Sequence, residues 1–306
     1  MENEKKLPLS QFVIRIVALL SMTSDHVGIF MLTYLGAANP LGLALRAFGR
    51  LAFPLFIFML AEGMLHTHNA KRYMGRLSIV LGVMIVAESI FIYGLQMEGI
   101  AGNPFIDLVL CGLVLMFLKN LEEPGKKKLY ALLALLPIAY LGISLGANLF
   151  EVSNKGLIDV SWFPKYIRAD YNIFGLFLAL GFYYSYKVAL MFGKKDAEAI
   201  GMSLEEYRES TIYRRSVNIL MMLTLMVTVL VFWGISFIGM NPDTGFRPLD
   251  IYSMSYESYC LIVLPFLYFY NGERGYDSKW FRIFNYLYFP VHMVFIFAVF
   301  ALIFGL

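Results

Sequence analysis

The sequence predicts an all-α, polytopic integral membrane bundle of about nine helices, within a range of eight to eleven, and three observations predict it. Of the 306 residues 59% are hydrophobic and 15% charged, with a mean hydropathy of +0.66, whereas a soluble domain carries roughly 25% charged residues. Apolar runs long enough to cross a hydrocarbon core of ~30 Å recur along the whole chain. The segments between those runs alternate between basic and non-basic.

Taken in order, the first run extends from near Gln11 to Tyr34. It follows a start carrying Lys5 and Lys6, contains Arg15 and lacks a small-residue cleavage pattern, so an uncleaved first span is expected. The second run, Leu41 to His66, is interrupted by charge, as is the first. Further runs cover Leu77 to Leu95, the short Pro104 to Leu118, Leu129 to Ala147, Tyr171 to Phe192, Ser216 to Met240, Ile251 to Tyr270 and Phe281 to Leu306. A broken or re-entrant segment among the short or interrupted runs changes the count.

Basic residues fall in every second connection: Lys5 and Lys6, then Lys71, Arg72 and Arg76, then Lys119 with Lys126 to Lys128, then Lys194, Lys195, Arg208, Arg214 and Arg215, then Arg274, Lys279 and Arg282. The intervening connections hold no charge at Gly36 to Pro40, a single acid at Glu98, and mixed charge at Glu151 to Arg168 and Asp243 to Asp250. The positive-inside rule places the amino terminus in the cytoplasm and, with an odd number of spans, the carboxyl terminus outside. The expected location is a bacterial inner or cytoplasmic membrane, multi-pass. Residues 1–306 read as a single transmembrane domain, with no internal repeat and no separate soluble part. Cys111 and Cys260 sit in apolar runs, so neither a disulfide framework nor a cysteine metal site is available, and no metal site is expected. Lipid is the expected surrounding and nucleic acid is not an expected partner.

Two connections are long. Ser203-Leu-Glu-Glu206 is a capping-box pattern that predicts a short interfacial helix over Leu204 to Arg214. The outer connection, Phe150 to Arg168, contains Trp162-Phe163-Pro164, which reads either as an interfacial aromatic anchor or as an acceptor-docking loop.

Ionisable residues at membrane depth are costly and mark functional sites by default. Asp25 and His26 are adjacent inside the first apolar run. At 1.5 Å per residue from Gln11, Asp25 lies on the order of 21 Å along, in the outer third of the core. Arg46 and Arg50, entering from the opposite side near Leu41, reach about the same level at ~8 to ~14 Å. Asp107 is also outer, while Glu88 and His292 fall nearer the middle. Five helices thus bring polar groups to one stratum.

Within that stratum Arg46 and Arg50 are four apart and share a helix face, whereas adjacent Asp25 and His26 point about 100° apart. Asp25 is therefore expected to meet an arginine of the second span, leaving His26 free to face a cavity. The plainer alternative is a structural ion pair with a satisfied core histidine. Glu62 and His66 are again four apart near the inner end of the second span, where the plain reading is a solvated helix terminus.

The stretches Met22-Thr-Ser-Asp25-His26-Val-Gly28 and Arg46-Ala-Phe-Gly-Arg50-Leu-Ala-Phe-Pro54-Leu-Phe56-Ile-Phe58, continuing through Glu62-Gly63 to His66-Thr67, resemble the TraX family of integral membrane proteins. Asp170-Tyr171 with Gly175, and Phe289-Pro290-Val-His292, are similar to its later landmarks. Asn172 stands where glycine, and Phe289 where tyrosine, is usual. The resemblance implies acyl transfer, since the family is associated with N-acetylation of the conjugative pilin. The chain also looks distantly similar to transmembrane acyltransferases that use acetyl-CoA.

The residues fit that implied chemistry. An imidazole has the pKa needed to take the acceptor's proton, and His26 is the expected base. Arg46 or Arg50 would stabilise the oxyanion, with Asp25 holding the arginine and His292 assisting as a second acid/base or acceptor-positioning group. Acetyl-CoA, the expected co-substrate, would lie on the cytoplasmic side with Glu62, His66, Arg72 and Arg76, although ordinary loop topology also accounts for those arginines. The acceptor would be an amine or hydroxyl of pilin, another peptide, or a lipid-linked or cell-surface glycan. The competing function is a proton-coupled transporter, favoured by the membrane acids Glu62, Glu88, Asp107 and Glu257 but disfavoured by the absence of repeat symmetry. A third reading is a noncatalytic assembly partner.

Overall fold

The structure, a computed structural model, describes residues 7–94, 103–121 and 125–304. Lys5, Lys6 and Glu98, part of the loop-charge pattern, lie outside the described residues, as do the expected span ends Leu95 and Leu306. The chain is an all-helical polytopic membrane bundle. Among the described residues seven helical segments are long and apolar enough to cross a bilayer.

The first is α1 (Gln11–Leu35). The second expected span divides into α2 (Pro40–Gly49) and α3 (Ala52–His66). Pro54 has no N–H to return to the carbonyl of Arg50, so the helix breaks at the arginine itself. Helix α4 (Ala70–Ser89) ends in a π-turn over Ile90–Gly94. Then follow α5 (Pro104–Asn120), α6 (Lys127–Ser153), α7 (Asn172–Ala199), α8 (Leu204–Glu209) and α9 (Thr211–Ser236). The chain closes with the short α10 (Met254–Glu257), a 3-10 stretch Ser258–Val263, α11 (Leu264–Tyr268) and α12 (Lys279–Phe304).

Two of the nine expected spans are not among the seven long apolar helices. Helix α5 has 17 residues, on the order of 25 Å and short of a ~30 Å core. It nevertheless runs between the two ends of the bundle: Asp107 meets the start of α7, while Lys119 Nζ donates to the carbonyls of Met64 and Thr67 at 2.7 and 2.9 Å. Protein surrounds most of it, which is what lets a short helix serve at membrane depth. The eighth run is not one helix. Its start meets α2, where the Tyr256 hydroxyl donates to the Leu43 carbonyl, and its end at Tyr270 reaches the opposite end beside Leu9. Its broken backbone packs against α3 and α9, with Cys260, Val263 and Leu267 buried and Tyr259, Ile262, Tyr268 and Phe269 exposed.

Side chains also shorten one expected loop helix and fill in the other long loop. The capping box is present, with Ser203 and Glu206 bonded reciprocally. The helix it starts ends at Glu209, because Ser210 caps α9 by accepting from the Tyr213 N–H at 3.1 Å. In the outer loop Trp162 is exposed and Phe163 buried. The loop closes around Arg168, whose guanidinium bonds Glu151 at 2.8 Å and the Val160 carbonyl at 2.9 Å.

Close approach of α1 and α2 positions everything that follows. A methyl group on Gly49 would sit 2.4 Å from Asp25 Cβ, and one on Gly28 2.7 Å from Arg46 Cγ. Small residues at such crossings let backbones meet where no hydrophobic force acts between helices in lipid. Ser21 and Ser24 of α1 donate to the carbonyls of Phe48 and Leu45 at 2.8 and 2.9 Å, partnering the frayed end of α2.

Candidate functional site

Asp25 lies beneath Gly49, within reach of both arginines. Arg50 Nη2 donates to Asp25 Oδ1, and Arg46 Nη1 stands 3.9 Å from Oδ2. Arg50 Nη1 is 3.2 Å from Glu257 Oε2 and 3.3 Å from the Tyr171 hydroxyl. Two guanidinium groups thus meet two carboxyl groups, a pairing by which such groups are tolerated in a bundle interior. Arg50 Nε–H has no acceptor among the described residues.

His26 is not free, as expected from sequence, but paired. Its Nδ1 lies 2.8 Å from His292 Nε2, and His292 Nδ1 lies 2.8 Å from the Tyr288 carbonyl. A carbonyl only accepts, so His292 Nδ1 carries its proton. In the neutral ring Nε2 is then an acceptor, and the shared bond must use a proton on His26 Nδ1. The lone pair of His26 is thereby assigned to Nε2. Tyr288 stacks on His292 with ring centroids 5.1 Å apart, and its hydroxyl bonds Thr23 of α1.

One cavity of about 120 Å³ has Asp25, His26, Arg50 and His292 on its walls, together with Glu88 and Tyr171. The expected convergence of separate helices is therefore present, except that Arg46 backs the cavity instead of lining it. Glu88 Oε1 and Asn103 Nδ2, also on the walls, have no hydrogen-bond partner among the described residues. Asp107 does not face this space. It accepts from the backbone N–H groups of Asp170, Tyr171 and Asn172 at 2.7, 3.1 and 2.6 Å, holding the turn that starts α7. Asn172 has φ +44°, a left-handed conformation for which asparagine is the next choice after glycine.

From sequence Glu257 stands only among the membrane acids of the transporter reading, and Tyr171 is not singled out as a site residue. The signal that marks Glu257 is its place as a lone acid in an apolar run; its pairing with Arg50 is not legible locally. Tyr171 follows an acid in a quoted landmark, but nothing local shows that Phe53 stacks on it, with centroids 3.6 Å apart, or that Arg50 reaches it.

The expected cofactor residues separate. Glu62 is buried, 3.2 Å from His66 and 3.7 Å from Arg214. His66 lines a second, larger cavity of about 350 Å³ at the opposite end of α3, with Lys187, Arg208 and Arg214. Arg72 and Arg76 are not on its wall; Arg76 Nε reaches the Tyr286 hydroxyl of α12 at 3.4 Å. Helices α3 and α7 join the two cavities. From Phe53 to His66, and from Tyr171 to Lys187, the rise is on the order of 20 to 24 Å. Buried Phe58, Phe182 and Tyr270 fill the level between.

Comparison with known proteins adds the following. The family model described as TraX protein matches residues 10–194. A probable fimbrial assembly protein, FimC of serogroup H1 from Dichelobacter nodosus, is 32% identical over 120 residues, covering 37% of this chain and 48% of that protein. The chain thus spans about half the length of this curated relative. No solved structure matches.

Proposed function

The chain belongs to the TraX family, and from that premise and the cavity's geometry we propose a membrane-embedded acetyltransferase that moves an acetyl group from cytoplasmic acetyl-CoA to an amine or hydroxyl presented from the other side. The observation that carries this reading is the assigned proton order Tyr288 carbonyl, His292, His26, which leaves a basic nitrogen on His26 in the same cavity as Arg50.

In the proposed reaction His26 Nε2 takes the acceptor's proton as its nitrogen or oxygen attacks the thioester carbonyl carbon. The resulting imidazolium is stabilised through Nδ1–H by His292, whose other nitrogen is anchored on the backbone. The carbonyl oxygen becomes an oxyanion beside Arg50, whose uncommitted Nε–H supplies a donor, while Asp25, Glu257 and Tyr171 hold the guanidinium. Collapse breaks the C–S bond, and the thiolate leaves with the proton returned by His26. A volume of about 120 Å³ suits a two-carbon acyl group with the acceptor's reacting atom; a cavity of roughly 150 Å³ holds only a benzene. The fimbrial assembly relative supports a pilus subunit as the acceptor class, and the basic inner loops support the bacterial cytoplasmic membrane with the cavity outward.

The test is thioester consumption by the purified full chain. Free CoA should be released from acetyl-CoA, faster with an acceptor amine, and His26→Ala should abolish release while leaving thermal unfolding and CoA affinity close to wild type. Full activity in that variant removes His26 from the mechanism. Proton-coupled solute uptake by proteoliposomes without CoA release would establish the transporter reading instead.

A further inference from the structure

The larger cavity is chemically unlike the first. Lys187 of α7, Arg208 of α8 and Arg214 of α9 line it with His66 and the phenols of Tyr186 and Tyr213. Three basic side chains thus share the wall, with the Glu62 carboxylate behind His66 and Arg214.

Arg214 is held in place. Arg214 Nη1 donates to the Tyr186 hydroxyl at 2.7 Å, and its guanidinium lies 5.3 Å from the ring centres of both Tyr186 and Tyr270. Gly272 lets the backbone pass directly over it, since a methyl group there would stand 2.5 Å from Nη2. Having accepted from Arg214, the Tyr186 hydroxyl keeps its own proton to donate. The short helix that carries Arg208 is anchored by its neighbour Tyr207, which is buried against Gly193 at a spacing that no Cβ would allow. With the Tyr213 hydroxyl committed to the Tyr186 carbonyl at 3.0 Å, the wall offers guanidinium, ammonium and the Tyr186 phenol, donors of the kind that recognise phosphate oxygens.

We propose that this cavity is a phosphate-binding site, fitted to a ligand bearing one or more phosphate groups. Its place at the end of α3 and α7 opposite the His26 cavity makes the phosphates of the nucleotide part of the acetyl donor the expected occupant, a step that rests on the acetyltransferase reading. The headgroup phosphate of an anionic lipid offers the same chemistry. Lys187, Arg208 and Arg214 replace Arg72 and Arg76 as the residues that hold the donor's phosphates.

The experiment measures binding to the full chain in nanodiscs, with CoA, dephospho-CoA and inorganic pyrophosphate as probes in zwitterionic lipid, and native mass spectrometry of retained anionic lipid as a separate arm. Arg208→Gln and Lys187→Gln should each weaken the preferred probe by about tenfold or more, as expected for the loss of one charge-assisted contact. Arg208 stands on a short helix with an exposed side chain, so its variant tests binding without threatening the fold. Weakened CoA or pyrophosphate binding assigns a soluble phosphate ligand; loss of retained anionic lipid assigns a headgroup. Unchanged binding of all of them in both variants overturns the phosphate site. Unchanged binding of every probe and of lipid in both variants, beside intact acetyl transfer, sinks this inference alone, whereas pyrophosphate binding that Arg208→Gln weakens, without any acetyl transfer, sinks the enzyme reading alone.

Discussion

Gly49→Ala tests the geometry on which the site stands. The added Cβ would lie 2.4 Å from Asp25 Cβ and 2.5 Å from Oδ1, whereas carbon atoms pack at about 3.5–4.0 Å. Relief requires α1 and α2 to separate by roughly 1 Å, because both closest atoms belong to a short side chain and its rotation cannot move Cβ. The cost of such overpacking is about 1–3 kcal/mol. A shift of Asp25 by that amount also takes it beyond reach of Arg46, already 3.9 Å away, and displaces Arg50 from the cavity wall. Misplacing a catalytic constellation by ~1 Å is worth on the order of 10²-fold in rate. The assay pairs thermal unfolding in detergent with CoA release. Gly142→Ala is the control, since nothing lies within 4 Å of its added Cβ and replacing glycine in a helix stabilises by up to about 1 kcal/mol. Wild-type stability and turnover in Gly49→Ala would refute the claim that this contact sets the Asp25–Arg50 geometry.

Other expectations follow from single contacts. His292→Phe should lower kcat by about 10²-fold or more, the usual weight of general-base assistance, while His292→Gln retains part of the rate because its amide oxygen can still accept from His26 Nδ1–H; equal rates for the two would show that the relay is not used. Asp25→Ala should destabilise by about 3 kcal/mol, since Arg46 loses its carboxylate and Arg50 keeps only Glu257. An unchanged melting temperature would mean that Asp25 is hydrated. Asn172→Gly should be tolerated, and Asn172→Val should cost about 1–2 kcal/mol because of φ +44°, with thermal unfolding as the measurement; equal stability would remove the conformational argument for asparagine there.

Much of this arrangement was legible in the chain because helical periodicity is local. Apolar run length placed the spans, and spacing of four placed Arg46 with Arg50 on one side of Asp25 and Glu62 beside His66. The cost of charge in a membrane singled out Asp25, His26 and His292 before any fold was known. What periodicity could not supply was the choice of partners across the bundle. Asp107 looked like one more polar group of the stratum and is instead a cap on α7. His26 is satisfied by a residue 266 positions away, and Arg50 by Glu257, on a segment that is not a continuous helix. Arg72 and Arg76, near His66 in sequence, turn away from its cavity, while Arg208 and Arg214 line it. Apolar helices in lipid have no hydrophobic preference for one another, so their neighbours are decided by glycine contacts such as Gly49 on Asp25 and by polar pairs between distant segments. The sequence by itself therefore determined which groups enter the membrane and at what level. Only the tertiary packing decided which of them meet, because that choice depends on close fits between helices that no local pattern encodes.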